Sequence, residues 1–222
     1  MPRAPTKRVR GRARWSGPSR QLRRTDQPPP YSSMASLPFS ILMVCTGNVC
    51  RSPFAEALLR RRLAGSGVAG VEVRSRGTMA LVGAPVAAEM LPEFARFGLS
   101  PDGLVGAQLD QAAAVRADLI VTMSKRQRAW IIEEWPAVGL RTVMLTSTGA
   151  LADSGASADS PPGVGAGAHR AGIRAWARSG AQLSAADVLD PYGRSPEVAR
   201  RSADVIAGHV AELGRWLGTG DT

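Results

Sequence analysis

Cys45 and Arg51 bracket a short run, Val44-Cys45-Thr46-Gly47-Asn48-Val49-Cys50-Arg51-Ser52-Pro53. A cysteine attacks as its thiolate, and an arginine presents a planar fork of donors that fits an oxyanion. Gly47 and Asn48 are the residue types that best tolerate left-handed backbone angles, so the chain can turn tightly between the two. Ser52 followed by Pro53 reads as a helix start, with Ser at the N-cap and Pro at the first helical position. A tight loop entering a helix N-terminus aims backbone N–H groups and the positive helix end at one point, which is an anion site. An oxyanion held there has a thiol beneath it and a guanidinium beside it. The same field favours the thiolate of Cys45, which becomes a nucleophile for in-line displacement at a bound phosphorus.

The Cys–Arg spacing alone is weak, because 26 of the 28 basic residues are Arg. The flanking pattern carries the weight. Ile41 to Val44 are four apolar residues that read as a buried strand ending at Cys45. Far downstream, Asp190-Pro191-Tyr192 offers a carboxyl group. Alone it is an ordinary turn. Beside Cys45, Asp190 is the candidate general acid, a role typically worth about 10²–10⁴ in rate. The same carboxylate can then activate water. Tyr192 is an aromatic that could flank a substrate ring.

The elements that must position these residues follow from the apolar pattern. Strands are expected at Phe39–Val44, Val71–Val73, 119–123 and 142–145. Helices are expected from Pro53 to about Leu63, from Pro85 to about Phe97, over Lys125 to Trp135 behind a Ser124 cap, and from Pro196 to Leu217. Strands alternating with helices imply an α/β fold, an open parallel sheet with helices on both faces. Ligands of such sheets bind at the carboxyl ends of strands, where Cys45 lies.

The loop resembles the active-site loop of the low-molecular-weight protein tyrosine phosphatases, Val-Cys-x-Gly-Asn-x-Cys-Arg-Ser-Pro, at every specified position from Val44 to Pro53. Asp190-Pro191-Tyr192 matches that family's distant Asp-Pro-aromatic. The resemblance covers about 39–146 and 187–217. It implies four parallel strands in the order 2-1-3-4 and a metal-free, cofactor-free phosphotyrosine phosphatase. Cys45, Arg51 and Asp190 are then catalytic, and Thr46, Gly47, Asn48, Val49, Cys50, Ser52 and Tyr192 hold the phosphate or substrate. Asn48 and Ser52 would order the loop near Cys45, and Cys45 and Cys50 would form a reversible disulfide on oxidation. The implied partners are a phosphotyrosine-bearing protein and a cognate tyrosine kinase.

Composition bounds this reading. The chain has 222 residues, 44% hydrophobic, enough for one α/β domain with extra length. No apolar run is long enough for membrane insertion. Two cysteines are not a secreted disulfide framework and lack partners for a metal site, so the expected setting is the reducing cytoplasm. The net charge of +10 invites a nucleic-acid partner, but +8 of it lies in residues 1–36, and no base-reading motif is present. That segment, rich in Arg, Pro and Ser, reads as a disordered basic tail or as a mis-called start, with Met34 the true one. The phosphatase domain is then 37–220. It carries a low-complexity insertion at about 147–183, with a short helix expected near Ile173 to Trp176.

The sequence departs from the family in three places. The stretch Leu104–Leu109 lacks a His that often ends the hydrogen-bond network from the loop Asn, although Ser75 fits that network. Met79 stands where an aromatic often lines the substrate wall. The insertion precedes Asp190. Rival activities on the same fold are a protein-arginine phosphatase and an arsenate reductase using an external thiol, since no cysteine follows Cys50. The rival outside enzymes is an oxyanion-binding or redox-sensing module, against which Asp190 argues. Position 49 separates phosphotyrosine from phosphoarginine: arginine phosphatases that resemble this loop carry Thr there, tyrosine phosphatases an aliphatic residue, and this chain has Val49.

Overall fold

A computed structural model describes residues 38–150 and 185–219, together with His169, Gly172 and Ile173. The tail at 1–36, most of the insertion and the helix expected near Ile173 to Trp176 lie outside the described residues.

Strand β1 (Phe39–Cys45) is the axis of the sheet. It pairs in parallel with β2 (Val71–Gly77) on one side and β3 (Leu119–Thr122) on the other, and β3 pairs in parallel with β4 (Thr142–Met144). The order is β2-β1-β3-β4, as the resemblance implies. Cys45 is the last residue of β1 and pairs with Gly77, the last of β2. The loop after Cys45 therefore leaves the carboxyl edge of the sheet.

Alternation along β1 divides the core between two faces. Phe39, Ile41 and Met43 pack with Phe54 and Leu59 of α1 (Arg51–Ser66) and with Val210, Leu213 and Trp216 of α5 (Pro196–Leu217). Leu42 and Val44 point the other way, to Ala113 and Ala114 of α3 (Gln111–Arg116) and Ile131 of α4 (Lys125–Glu134). Each fully buried aliphatic or aromatic side chain contributes about 1.5–3 kcal/mol. The strand carrying the nucleophile is thus buried from both sides and cannot shift without opening two cores.

Three local expectations change. Helix α1 begins at Arg51, and Ser52 makes no N-cap bond; its hydroxyl is engaged with the Cys45 sulfur instead. The helix expected from Pro85 to Phe97 is broken. Pro85 forms an antiparallel bridge with Val105, and the Ala87 N–H donates to the Val49 carbonyl at 2.9 Å. These bonds hold Pro85–Ala87 extended. A 3-10 turn (Ala88–Met90) and the short α2 (Leu91–Arg96) follow. Helix α3 was not expected, because its alanines make no apolar stripe. Its signal is Asp110, whose carboxylate accepts from the Ala113 N–H at 2.7 Å as a cap. Ser124 caps α4 as expected, accepting from Gln127.

Candidate active site

Between β1 and α1 the chain passes through Thr46–Cys50. Among the described residues, Asn48 is the non-glycine residue with left-handed backbone, φ 55°. Gly47 is not left-handed. A Cβ there would rest in ordinary contact with the side chains of Val49 and Leu81, inside the pocket that they line. The amides of Gly47 to Cys50 donate to no acceptor among the described residues. They and the first N–H groups of α1 form a row of unpaired donors.

Asn48 fixes this loop from behind. It is 1% exposed. Its Nδ2 donates to Ser52 Oγ and Ser75 Oγ, both at 2.9 Å, and its Oδ1 accepts from the Ala107 N–H at 2.9 Å. Ser52 Oγ in turn donates to Cys45 Sγ at 3.0 Å. Ser75 bonds the buried carboxyl of Glu56, which pairs with Arg60 at 2.5 Å. Burial holds the Glu56 carboxyl above its ordinary range, opposed by the Ser75 hydrogen bond and by Arg60. No His is needed to complete the carbonyl end of Asn48, since a backbone N–H serves it.

A pocket of about 210 Å³ opens over the loop, lined by Cys45, Thr46, Gly47, Val49, Cys50, Arg51, Met79, Leu81, Asp190 and Tyr192. The structure therefore brings together the three candidate catalytic residues and, of the candidate binding residues, Thr46, Gly47, Val49, Cys50 and Tyr192. Asn48 and Ser52 do not line the pocket; they sit beneath it. Arg51 is buried along α1. Its Nη2 contacts Asp190 Oδ2 at 2.6 Å and its Nη1 donates to the Val188 carbonyl at 3.2 Å. Its Nε is buried with no partner among the described residues. A buried guanidinium N–H without a partner is costly.

The two cysteines are free and differ in kind. Burial pushes the Cys50 thiol up to about 12, helped by the negative charges of Cys45, Asp190 and Glu89 and opposed by Arg51. Cys50 stays a neutral thiol. Cys45 has the hydroxyl of Ser52 beside its sulfur. Among the described residues no group of three or more His, Cys, Asp or Glu could hold a metal ion.

Sequence reasoning missed three positioning residues. Gln127 of α4 accepts from the Met123 N–H at 2.9 Å and donates to Thr46 Oγ1 at 3.1 Å, tying the pocket loop to the second core. Gln108 clamps the Met79 wall: its Oε1 accepts from the Ala80 N–H at 2.9 Å and its Nε2 donates to the Thr78 carbonyl at 3.0 Å. Gly77 lies so close to the pocket loop that a Cβ would stand 2.5 Å from the Thr46 carbonyl oxygen.

A thiol, a row of free amides, an arginine and a carboxyl around one pocket at the carboxyl edge of a parallel sheet define a class, the cysteine-dependent phosphoric monoester hydrolases. The family model described as low molecular weight phosphotyrosine protein phosphatase matches residues 40–148. The low molecular weight protein-tyrosine-phosphatase Etp of Escherichia coli (strain K12) is 41% identical over 112 residues, which are 50% of this chain and 72% of that protein. The protein-arginine-phosphatase of Geobacillus stearothermophilus is 33% identical over 113 residues, 49% of this chain and 70% of that one. Among solved structures, the tyrosine phosphatase Wzb from Escherichia coli K30 in complex with sulphate shares the fold, with a TM-score of 0.60 and 24% identity over 82% of this chain and 100% of that one. The chain belongs to the low molecular weight protein-tyrosine-phosphatase family. Among the described residues no helix is long and apolar enough to cross a membrane.

Proposed function

We propose that the protein hydrolyses phosphotyrosine in protein substrates through Cys45, Arg51 and Asp190. One observation carries this reading: Cys45, Arg51 and Asp190 line one pocket, over a loop whose amides are unpaired among the described residues. An incoming phosphate dianion takes donors from Arg51 and the amides, which strengthen their hold as charge builds on the phosphoryl oxygens. Arg51 then releases Asp190. The released Asp190 carboxylate takes a proton from solvent; the Cys45 thiolate attacks phosphorus, the phosphorus–oxygen ester bond breaks, and the Asp190 carboxyl gives that proton to the leaving phenolate oxygen. In the second step Asp190 takes a proton from water, water oxygen attacks phosphorus, the phosphorus–sulfur bond breaks, and phosphate leaves with Cys45 restored as thiolate.

Residues 37–220 are the proposed catalytic domain, with 147–183 as an insertion in it. A nucleophile that must stay reduced fits a reducing compartment, the cytoplasm, and a cognate tyrosine kinase would supply the substrate.

The arginine-phosphatase relative makes phosphoarginine the second reading. Val49 lines the pocket and is 3% exposed. An apolar branched side chain suits a phenol ring and leaves a guanidinium donor unpaired, at a cost of about 1–3 kcal/mol. The test is kcat/KM on matched phosphotyrosine and phosphoarginine peptides, for the wild type and Val49→Thr. The expected result is a wild-type preference for phosphotyrosine that Val49→Thr narrows. A wild-type preference for phosphoarginine would overturn the tyrosine assignment and leave the cysteine mechanism standing.

A further inference from the structure

The large apolar side chains that remain exposed are unevenly placed. Met79, Leu81, Val82 and Val105 lie on two loops beside the pocket, and Leu189 and Tyr192 flank Asp190. Val82 is 72% exposed and Val105 57%. Scattered exposed apolar residues are normal, but a contiguous patch at the mouth of a pocket marks an interaction surface.

These loops are held rigidly. The Gly83 N–H donates to the Gly106 carbonyl and the Gly106 N–H to the Ala84 carbonyl, both at 2.8 Å. Pro85 bridges Val105, and Gln108 clamps Thr78 and Ala80. The contact is close enough that a Cβ on Gly106 would stand 2.1 Å from the Leu81 carbonyl oxygen. The apolar tips therefore cannot fold back on themselves to escape water. Nor are the two loops charged: Gly77 to Ala88 and Gly103 to Leu109 contain no acidic or basic residue. The pocket itself, at about 210 Å³, is below the roughly 300–1,000 Å³ of sites for drug-sized ligands. It has room for one side chain, so the residues on either side of that side chain must lie on the rim.

We propose that this rim is a docking surface for apolar side chains of the substrate polypeptide next to the phosphorylated tyrosine. It makes the enzyme select phosphotyrosine flanked by aliphatic or aromatic residues over phosphotyrosine flanked by acidic ones. The proposal rests on the phosphotyrosine reading given above. Its occupant follows from continuity, since Met79, Leu81 and Tyr192 belong to both the rim and the pocket. It follows also from charge: an acidic neighbour finds no cation on these loops, while an apolar neighbour covers surface that water otherwise wets.

The experiment measures kcat/KM of the full chain on phosphotyrosine peptides that differ only in having Leu and Phe, or Glu, beside the phosphotyrosine. A small aryl phosphate serves as the reference substrate. The wild type should prefer the apolar peptide by about 5- to 20-fold. Val82→Asn and Val105→Asn, at exposed positions outside the pocket, should cut that preference at least threefold and leave the small substrate within twofold, with unchanged thermal melting. Equal rates on the two peptides, a preference for Glu, or an unchanged ratio in both variants would overturn the rim. A concentration-dependent dimer in sedimentation, dissolved by Val82→Asn, would give the surface to a second copy of the chain and also overturn it. Absence of turnover on every substrate, the small one included, would remove the phosphatase reading and the rim with it.

Discussion

Cys45 and Asp190 line one pocket but are held there by different means. Cys45 ends a strand buried on both faces, and its loop is braced by Asn48, Ser52, Ser75 and Gln127. The Asp190 side chain is 51% exposed, and its tie to the pocket is the ion pair with Arg51. Its other oxygen accepts a 3.3 Å bond from the Tyr192 N–H two residues on, which orders its own turn and nothing else. The nucleophile is thus preorganised by packing, while the acid is parked on the group that the substrate will claim. On the proposed mechanism Arg51 serves both: it holds the carboxylate until a phosphate replaces it. This places the anion-binding half of catalysis in the static structure and leaves the proton-transfer half to the exchange at Arg51.

The comparison breaks most sharply at the nucleophile. Cys45→Ser should lower kcat by about 10⁴-fold or more while still binding vanadate, because the loop amides and Arg51 remain. Tight vanadate binding together with residual activity within tenfold of wild type would remove Cys45 from its role. On the other half, Asp190→Asn should cost about 10²–10⁴ on poor leaving groups and far less on an activated phenolate, which departs without a proton. The two losses are compared as a slope of log kcat against leaving-group acidity; parallel slopes for variant and wild type would deny Asp190 the proton.

Asn48→Ala sharpens the claim that the first half is preorganised. It leaves Ser75, Ser52 and the Ala107 N–H short of a buried partner and puts at φ 55° a residue that tolerates left-handed backbone less well than Asn. Loss of about 2–4 kcal/mol in urea unfolding is expected, with a fall in kcat larger than any rise in KM. A smaller effect follows at Glu56. Burial raises its folded-state carboxyl above the ordinary 4.5, so the unfolded chain ionises first. Its contribution to stability is full below that ordinary value and declines as pH rises through the folded one. The stability of wild type minus Glu56→Gln should therefore shrink between pH 4 and pH 7. A difference that grows over this range would show the carboxylate to be stabilised in place by Ser75 and Arg60.

What the sequence disclosed and what it hid divide along the same line. The strand, the loop and the helix around Cys45 are contiguous, so residue types and spacing were enough to place them, and the apolar pattern located the four strands; their order came from the resemblance. Ser52 was misread as a cap because a serine serving a backbone N–H and one serving a sulfur look alike in sequence. The helix expected from Pro85 has the right apolar spacing, and Val86, Met90 and Phe94 are buried as it implies. Its first turn was lost to backbone bonds with Val49 and Val105, partners that no local pattern shows. Gln127 and Gln108 escaped for the same reason: each reaches the site across 81 and 30 positions respectively. A glutamine on a helix face or in a loop is otherwise unremarked.

The Arg51–Asp190 pair joins residues 139 positions apart, and this has a consequence for the order in which the molecule is made. On the ribosome the phosphate loop emerges early, together with β1 and α1, whereas the acid arrives only with the last quarter of the chain. Docking of α5 on α1 follows it, bringing Ile206, Val210 and Leu213 into the core. On the proposed mechanism, anion capture depends on early residues and leaving-group protonation on late ones. A nascent or nicked chain lacking Asp190 would, on that mechanism, still trap phosphate but turn over poor leaving groups far more slowly.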